Sequence, residues 1–264
     1  MSKYKKDDLG VRMKSYEHAS RAMLTKRMPV IIRLDGKAFH TFTKGMKKPF
    51  DETLMKSMWD TAKYLCENVQ GCKIAYTQSD EISLLLTNYD NITTESWFGN
   101  SIQKMVSVSA SMATLAFNKS FRENIEDIKN KSFNDVQYKA LMKSKLDTAM
   151  FDSRIFVLPK EEVNNYFVWR QQDAIRNSVQ MQAQSKFSHQ ELHKKNVLML
   201  KKMLSEIGAD WEDLPTSQRH GVCLNRVIRQ IEGTDYSRAG WEVDLDIPIF
   251  QEQKEYVENF VYLH

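Results

Sequence analysis

Residues 30–34 read Val-Ile-Ile-Arg-Leu, a short β-branched run that stops at Asp35-Gly36. Such a run predicts a buried strand that ends on a carboxylate. Asp51 then stands where a helix N-cap belongs, and Leu54, Met58, Ala62, Leu65 and Val69 recur at helical spacing before Gly71 closes the element. Residues 73–77 and 82–87 read as two strands joined tightly through Gln78-Ser79-Asp80-Glu81. A helix over 96–118 follows, with Ile102, Met105, Ser109, Met112 and Ala116 as its inner stripe, and a strand over 155–158 ends at Pro159. The order strand, helix, strand, strand, helix, strand is that of the split βαβ arrangement, so the expectation is an α+β chain with a ferredoxin-like βαββαβ core. Ahead of it, residues 3–28 are expected to form a helix ended by Pro29.

The pattern divides at Pro159: residues 1–158 are read as the core with its N-terminal helix, and 159–264 as a mostly helical lobe. Helices are expected over 161–187 and from Ser188, where Glu191 completes a capping box, with a strand at 221–228. The Lys-, Asn- and Asp-rich stretch 121–147 reads as partly helical and mobile. The N-terminus is polar and no apolar run is long enough to span a bilayer, which predicts a soluble, intracellular, cytoplasmic protein with no membrane partner. Cys66, Cys72 and Cys223 are odd in number and lack CxxC spacing, so reduced buried thiols are expected rather than disulfides or a zinc site. The formal charge of +4 over 264 residues permits a polyanionic partner without demanding one.

In the split βαβ topology the first and third strands are antiparallel neighbours at the sheet centre. Asp35 sits just past the end of the first, and Asp80 just before the start of the third. Two carboxylates from distant sequence are therefore expected to meet at one end of the sheet. Taken alone, each is an ordinary turn residue; taken together, like charges that close call for a cation. Hard oxygen donors select Mg²⁺, and paired carboxylates are the arrangement of two-metal phosphoryl transfer. Gly36 lets the backbone approach a metal and offers its carbonyl as a further ligand. The amides from Lys37 through Ala38 and Phe39 to His40 form a candidate anion nest, and Lys48 and Lys104 are candidate phosphate cations.

The stretches Ile32-Arg33-Leu34-Asp35-Gly36-Lys37-Ala38-Phe39-His40 and Ala75-Tyr76-Thr77-Gln78-Ser79-Asp80-Glu81 resemble the tRNA-His guanylyltransferase family. Further matches are Lys48-Pro49-Phe50-Asp51, Phe151-Asp152-Ser153-Arg154 and Trp169-Arg170-Gln171-Gln172-Asp173, in the family's order across roughly residues 30–180. The resemblance implies a polymerase-palm core that extends RNA in the 3′-to-5′ direction, with tRNA, ATP and GTP or other nucleoside triphosphates as substrates, two Mg²⁺ ions, and assembly as a homotetramer. It implies Asp35, the Gly36 carbonyl and Asp80 as metal ligands. Residues Asp35 to His40, with Lys48, Ser79 and Asp80, match positions that bind the triphosphate. Arg33, His40 and Lys104 match positions that activate the RNA 5′ phosphate.

After the Trp-Arg-Gln segment, eukaryotic members carry a HINNLYN stretch tied to tRNA-His recognition. Here the stretch reads Ile175-Arg176-Asn177-Ser178-Val179-Gln180-Met181, which resembles the bacterial and archaeal-type branch that repairs truncated tRNA 5′ ends. Dedicated addition of one guanosine to tRNA-His is the alternative; a palm-type nucleotide cyclase and an RNA-binding module of the same strand order stand further off. The lobe's Arg170, Arg176, Lys194, Lys195, Lys201 and Lys202 are expected to hold the RNA. His189 and His193 lack a third metal donor and read as a solvated or RNA-facing pair. Trp97-Phe98 and Trp169 read as core or subunit contacts.

Overall fold

A computed structural model of the chain describes residues 8–128, 132–230 and 237–262. The first part comprises α1 (Asp8–Ala19), β1 (Val30–Gly36), α2 (Phe39–Phe42), α3 (Glu52–Asn68), β2 (Cys72–Gln78), β3 (Glu81–Leu86), α4 (Ile102–Glu126), α5 (Phe133–Lys143) and β4 (Phe151–Val157). The second comprises α6 (Lys160–Lys186), α7 (His189–Leu192), α8 (Val197–Glu206), α9 (Thr216–Arg219), β5 (Val222–Gln230), β6 (Ser237–Asp244) and α10 (Glu255–Glu258).

The strands form one antiparallel sheet in the order β4-β1-β3-β2-β5-β6. Its first four strands carry the expected βαββαβ connectivity, with β1 and β3 adjacent at the centre. Alternation along each strand then sorts the side chains onto two faces. Val30, Ile32 and Leu34 of β1 join Ile82 and Leu84 of β3 in a core against α3 and α4. Ile31 faces the other way with Leu85, Ile74 and Tyr76, beneath Val163 and Phe167 of α6. Arg33 and Asp35 share the parity of Ile31 and so belong to the α6 face. The outer half of α6 packs with α8 in a smaller core of Val179, Ala183, Leu200, Leu204 and Trp211.

Local chemistry sets most boundaries. The Asp51 carboxylate accepts from the Leu54 amide at 3.1 Å and starts α3, whose Met58, Ala62 and Leu65 are buried. Ser188 and Glu191 do form a capping box, yet α7 lasts one turn, and Asn196 caps α8 instead. The three thiols are free, with Cys66 and Cys223 buried.

Several expected elements end elsewhere. The N-terminal helix stops at Ala19, not Pro29, because the following chain pairs with the start of α4: Leu24 N–H donates to Asn100 O at 3.0 Å and Ile102 N–H to Ala22 O at 3.1 Å. Residues 3–7 lie outside the described residues. The helix expected from residue 96 begins at Ile102, because Phe98 and Gly99 take left-handed angles that break the turn at Trp97–Asn100. It runs on to Glu126, and its buried stripe drifts to Ala113, Phe117 and Phe121, as a 3.6-residue period drifts from a 3.5-residue one. The stretch expected to be mobile, 121–147, supplies Phe121, Ile125 and Met142 to the core. Finally, β5 pairs with β2 and β6 with β5, so the sheet runs past the expected boundary at residue 158 into the lobe.

Candidate active site

The end of β1 and the β2–β3 turn meet as the topology requires. Gly36 N–H donates to Asp80 O at 3.1 Å, and Asp35 stands in register with Glu81 of β3 and Asp152 of β4. Directly opposed residues on antiparallel strands share a face, so Asp35, Glu81 and Asp152 form a carboxylate row under α6. One step inward, Arg33 lies opposite Ser83 and Arg154. From α6, Arg170 reaches down with its Nε 3.0 Å from Glu81 Oε1, while its Nη2 holds Asp173 at 2.6 Å. The first approach is an ion pair without hydrogen-bond alignment, since both atoms lack a hydrogen-bond partner. Trp169, 49% exposed, lies under the Arg170 guanidinium at 4.1 Å and near that of Arg33 at 5.7 Å.

These carboxylates are uncomfortable as anions. Burial raises the Asp35 pKa, and the Asp152 charge adds to it against the pull of Arg154, Arg33 and Arg170. Burial also raises Asp80, with the Asp35 charge adding and a 3.0 Å hydrogen bond from Ser79 Oγ opposing. Burial pushes Glu81 up to about 7 despite Arg170 and Arg33. Among the described residues no ion pair reaches Asp35 or Asp80, so the site's unmet electrostatic need is for a cation.

The turns on either side of these carboxylates are both strained. Ala38 has φ 55° and Ser79 φ 50°, left-handed angles that cost a non-glycine residue roughly 1–2 kcal/mol each. The Lys37 amide is committed to Met150 O at 2.8 Å, which removes it from the expected nest. Among the described residues no backbone acceptor meets the amides of Ala38, Phe39 or His40, and these three remain available to an anion. The Phe39 ring takes no part, being buried among Phe42, Phe117 and Phe151. Gly36 also has a different reason to be glycine: a Cβ there would stand 2.3 Å from Phe39 Cδ2. Lys37 and His40 are exposed beside the amides.

Lys104 lies away from the carboxylates, and Lys48 faces a groove beside α6 and α7. Lys104 is in the first turn of α4, next to Met105, which lines a cavity with Val30 and Leu86 at the far end of the sheet. Five residue steps along β1 separate that end from Asp35, about 16 Å, so one chain does not bring Lys104 to the carboxylates. A slot beside Ser79, lined by Phe50, Asn177 and Gln218 among others, holds only ≈ 70 Å³, too little for a nucleobase as it stands. Trp97 is buried as expected, and Trp169 belongs to the site's rim. Sequence reasoning passed over Glu81, Asp152 and Arg154, and it assigned Arg170 to RNA; Asp152 and Arg154 alternate along the Phe151-Asp152-Ser153-Arg154 strand, a signal that was available.

A family profile described as tRNAHis guanylyltransferase matches residues 10–159. The chain belongs to that family. A bacterial tRNA(His) guanylyltransferase-like protein solved in complex with ATP is 46% identical, with a TM-score of 0.82, covering 97% of this chain and all of that one. A second structure of the same description, in complex with GTP, is 44% identical with a TM-score of 0.76 over 97% of this chain and 100% of that chain. The tRNA(His) guanylyltransferase of Debaryomyces hansenii is 32% identical over 153 residues, 57% of this chain and 51% of that protein. The chain thus spans about half of this curated guanylyltransferase. Among the described residues of this family member, no helix is long and apolar enough to cross a membrane.

Proposed function

We propose that the chain is a template-dependent nucleotidyltransferase that extends the 5′ end of tRNA in the 3′-to-5′ direction, repairing truncated ends. The observation that carries this reading is the meeting of Asp35 and Asp80 without an internal cation, beside three unpartnered amides of residues 38–40. That donor set fits Mg²⁺: two carboxylates and the Gly36 carbonyl are hard oxygens. Two side-chain carboxylates and one backbone carbonyl would leave the remaining positions to water and triphosphate oxygens. When bound, the ions supply Lewis-acid stabilisation of charge on the phosphates.

The chain's own residues then do the positioning. Amides of Ala38, Phe39 and His40, with the Ser79 turn, orient the triphosphate, and Lys37 and His40 offset its charge. In the first reaction the RNA 5′-monophosphate attacks the α-phosphorus of ATP or GTP, forming a phosphoanhydride and releasing pyrophosphate. In the second, the 3′-hydroxyl of the incoming nucleotide attacks the activated 5′ phosphorus and releases the nucleoside monophosphate. Arg33, two residues before Asp35 on the same face, is the cation for the RNA 5′ phosphate. Lys48 reaches this chemistry only from its groove, and Lys104 only from another copy of the chain.

Residues 175–181 support repair over tRNA-His-specific addition. Where the HINNLYN histidine would stand, Ile175 packs into the lobe's core, while Asn177 and Met181 face the slot beside Ser79. The test is a labelled tRNA lacking its first 5′ nucleotide, given Mg²⁺, ATP and all four nucleotides. Addition of the nucleotide complementary to the opposite strand is expected on any tRNA. Guanosine added to tRNA-His alone would favour the dedicated activity, and a cyclic product from free nucleotide the cyclase. Assembly as a homotetramer belongs to the same proposal. It is supported by α1, which buries none of its residues and leaves Leu9, Val11 and Tyr16 more than half exposed, and light scattering checks it.

A further inference from the structure

The lobe's basic residues are not equally free. Arg170 is held by Glu81 and Asp173, and Arg176 pairs with Asp173 at 2.6 Å. Lys201 pairs with Glu212 at 2.8 Å and stacks on Trp211, and Lys202 approaches Glu206 at 3.9 Å. Of the six expected to touch RNA, only Lys194 and Lys195 have no carboxylate partner among the described residues.

Both line a groove of ≈ 520 Å³ together with Lys48, His189 and His193. Gln180 and Gln184 add amide donors from α6, and Phe187, Leu192 and Leu200 supply an apolar floor. Among the described residues no Asp or Glu lines it. The short α7 ends before His193, so the two histidines do not share a helix, yet they converge on this one cavity. Cations, donors and an apolar floor without an acid match the chemistry of a nucleic-acid backbone: lysines take the phosphates, and the floor takes the sugar edge.

Helix α6 relates the groove to the carboxylates. Arg170 touches Glu81, and Gln180 and Gln184 lie ten and fourteen residues further along the same helix. At 1.5 Å per residue that is about 15–21 Å. In A-form RNA each stacked nucleotide rises by about 3 Å, so the span equals roughly five to seven of them. We propose that this groove grips the phosphate backbone of the RNA substrate roughly five to seven nucleotides from the reacting end. The proposal rests on the 5′-extension reading above and deepens it.

The experiment is filter binding of a 5′-truncated tRNA transcript between 50 and 200 mM KCl, with the wild type, Lys194→Ala/Lys195→Ala and Lys194→Arg/Lys195→Arg. ATP affinity is measured by equilibrium dialysis without RNA. The alanine pair is expected to lower the slope of log affinity against log salt by about 2 and the 50 mM affinity roughly tenfold, with the arginine pair near wild type and ATP affinity within about twofold. An alanine pair with the wild-type slope overturns the groove and leaves the extension reading standing. Loss of ATP affinity with an unchanged RNA slope overturns it in favour of a free-triphosphate pocket. A wild type that fails to bind the transcript at 50 mM KCl overturns both.

Discussion

The Arg170–Glu81 contact gives the sharpest test of how this fold holds its acidic face. The side chains are 6% and 12% exposed, so the pair falls with buried ion pairs rather than with surface ones worth about 0–1 kcal/mol. Replacing Arg170 with methionine keeps the volume and removes the charge, leaving Glu81 under α6 beside Asp35. Breaking a buried pair from one side costs up to roughly 3–5 kcal/mol, the full amount only at a pH well above 7, where Glu81, already raised to about 7 by burial, stays ionised. At roughly 2–3 °C per kcal/mol for a chain of this size, Arg170→Met should lower Tm by up to about 6–15 °C at alkaline pH, and by less at neutral pH, where Glu81 protonates. Replacing both partners with neutral groups of similar shape is far less costly, so Arg170→Met/Glu81→Gln should recover much of the loss, with a coupling energy of about 2–3 kcal/mol in the double-mutant cycle. The assay is thermal denaturation followed by circular dichroism in an alkaline chelating buffer, so that bound divalent ions do not mask the charge. A single variant within 1 °C of wild type, or a double variant no more stable than the single, would refute the reasoning.

Asp80→Asn should slow single-turnover extension by roughly 10²-fold or more, while Tm in chelator stays level or rises, because the amide removes repulsion from Asp35. Chelating divalent ions should stop extension and leave the far-ultraviolet circular dichroism spectrum unchanged. Gly36→Ala forces a methyl to 2.3 Å from the Phe39 ring and should cost about 1–3 kcal/mol in urea unfolding, with Phe39→Leu relieving it in the double variant. Burial and the adjacent Arg219 lower the His220 pKa, so the unfolded chain takes up that proton first. Stability should fall as pH drops below about 6.5 towards the folded value, and His220→Gln should flatten that part of the urea-midpoint profile between pH 7.5 and 5.

The central elements were readable because their signals are local. A β-branched run ending at Asp35-Gly36, an N-cap at Asp51 and a two-residue turn at Ser79-Asp80 each act within a few residues. What escaped depends on partners distant in sequence. The strand Ser237–Asp244 has one buried residue, Trp241, and its character comes from pairing with β5 rather than from any alternation of its own. The N-terminal helix ends early because residues 22–24 pair with 100–102, a contact that no capping rule encodes. Lys104 was placed at the site from resemblance, but α4 begins at the end of the sheet from which β3 exits, and that follows only once the crossover is traced.

The same distinction explains why two aspartates were legible and their surroundings were not. Asp35 and Asp80 announce themselves by ending or preceding a strand, whereas Glu81, Asp152 and Arg154 acquire meaning only through register with Asp35 and Arg33. Yet that register decides the chemistry. Arg170 is taken up by Glu81 and Asp173, and Arg154 approaches Asp152 at 3.6 Å. Arg33 lies against Trp169, its Nε without a hydrogen-bond partner. The nearby guanidiniums thus restrain the outer acids and leave Asp35 and Asp80 unpaired. The proposed metal site depends on those two being left unsatisfied; among the described residues the carboxylates left over are the pair that the unpartnered amides of residues 38–40 adjoin.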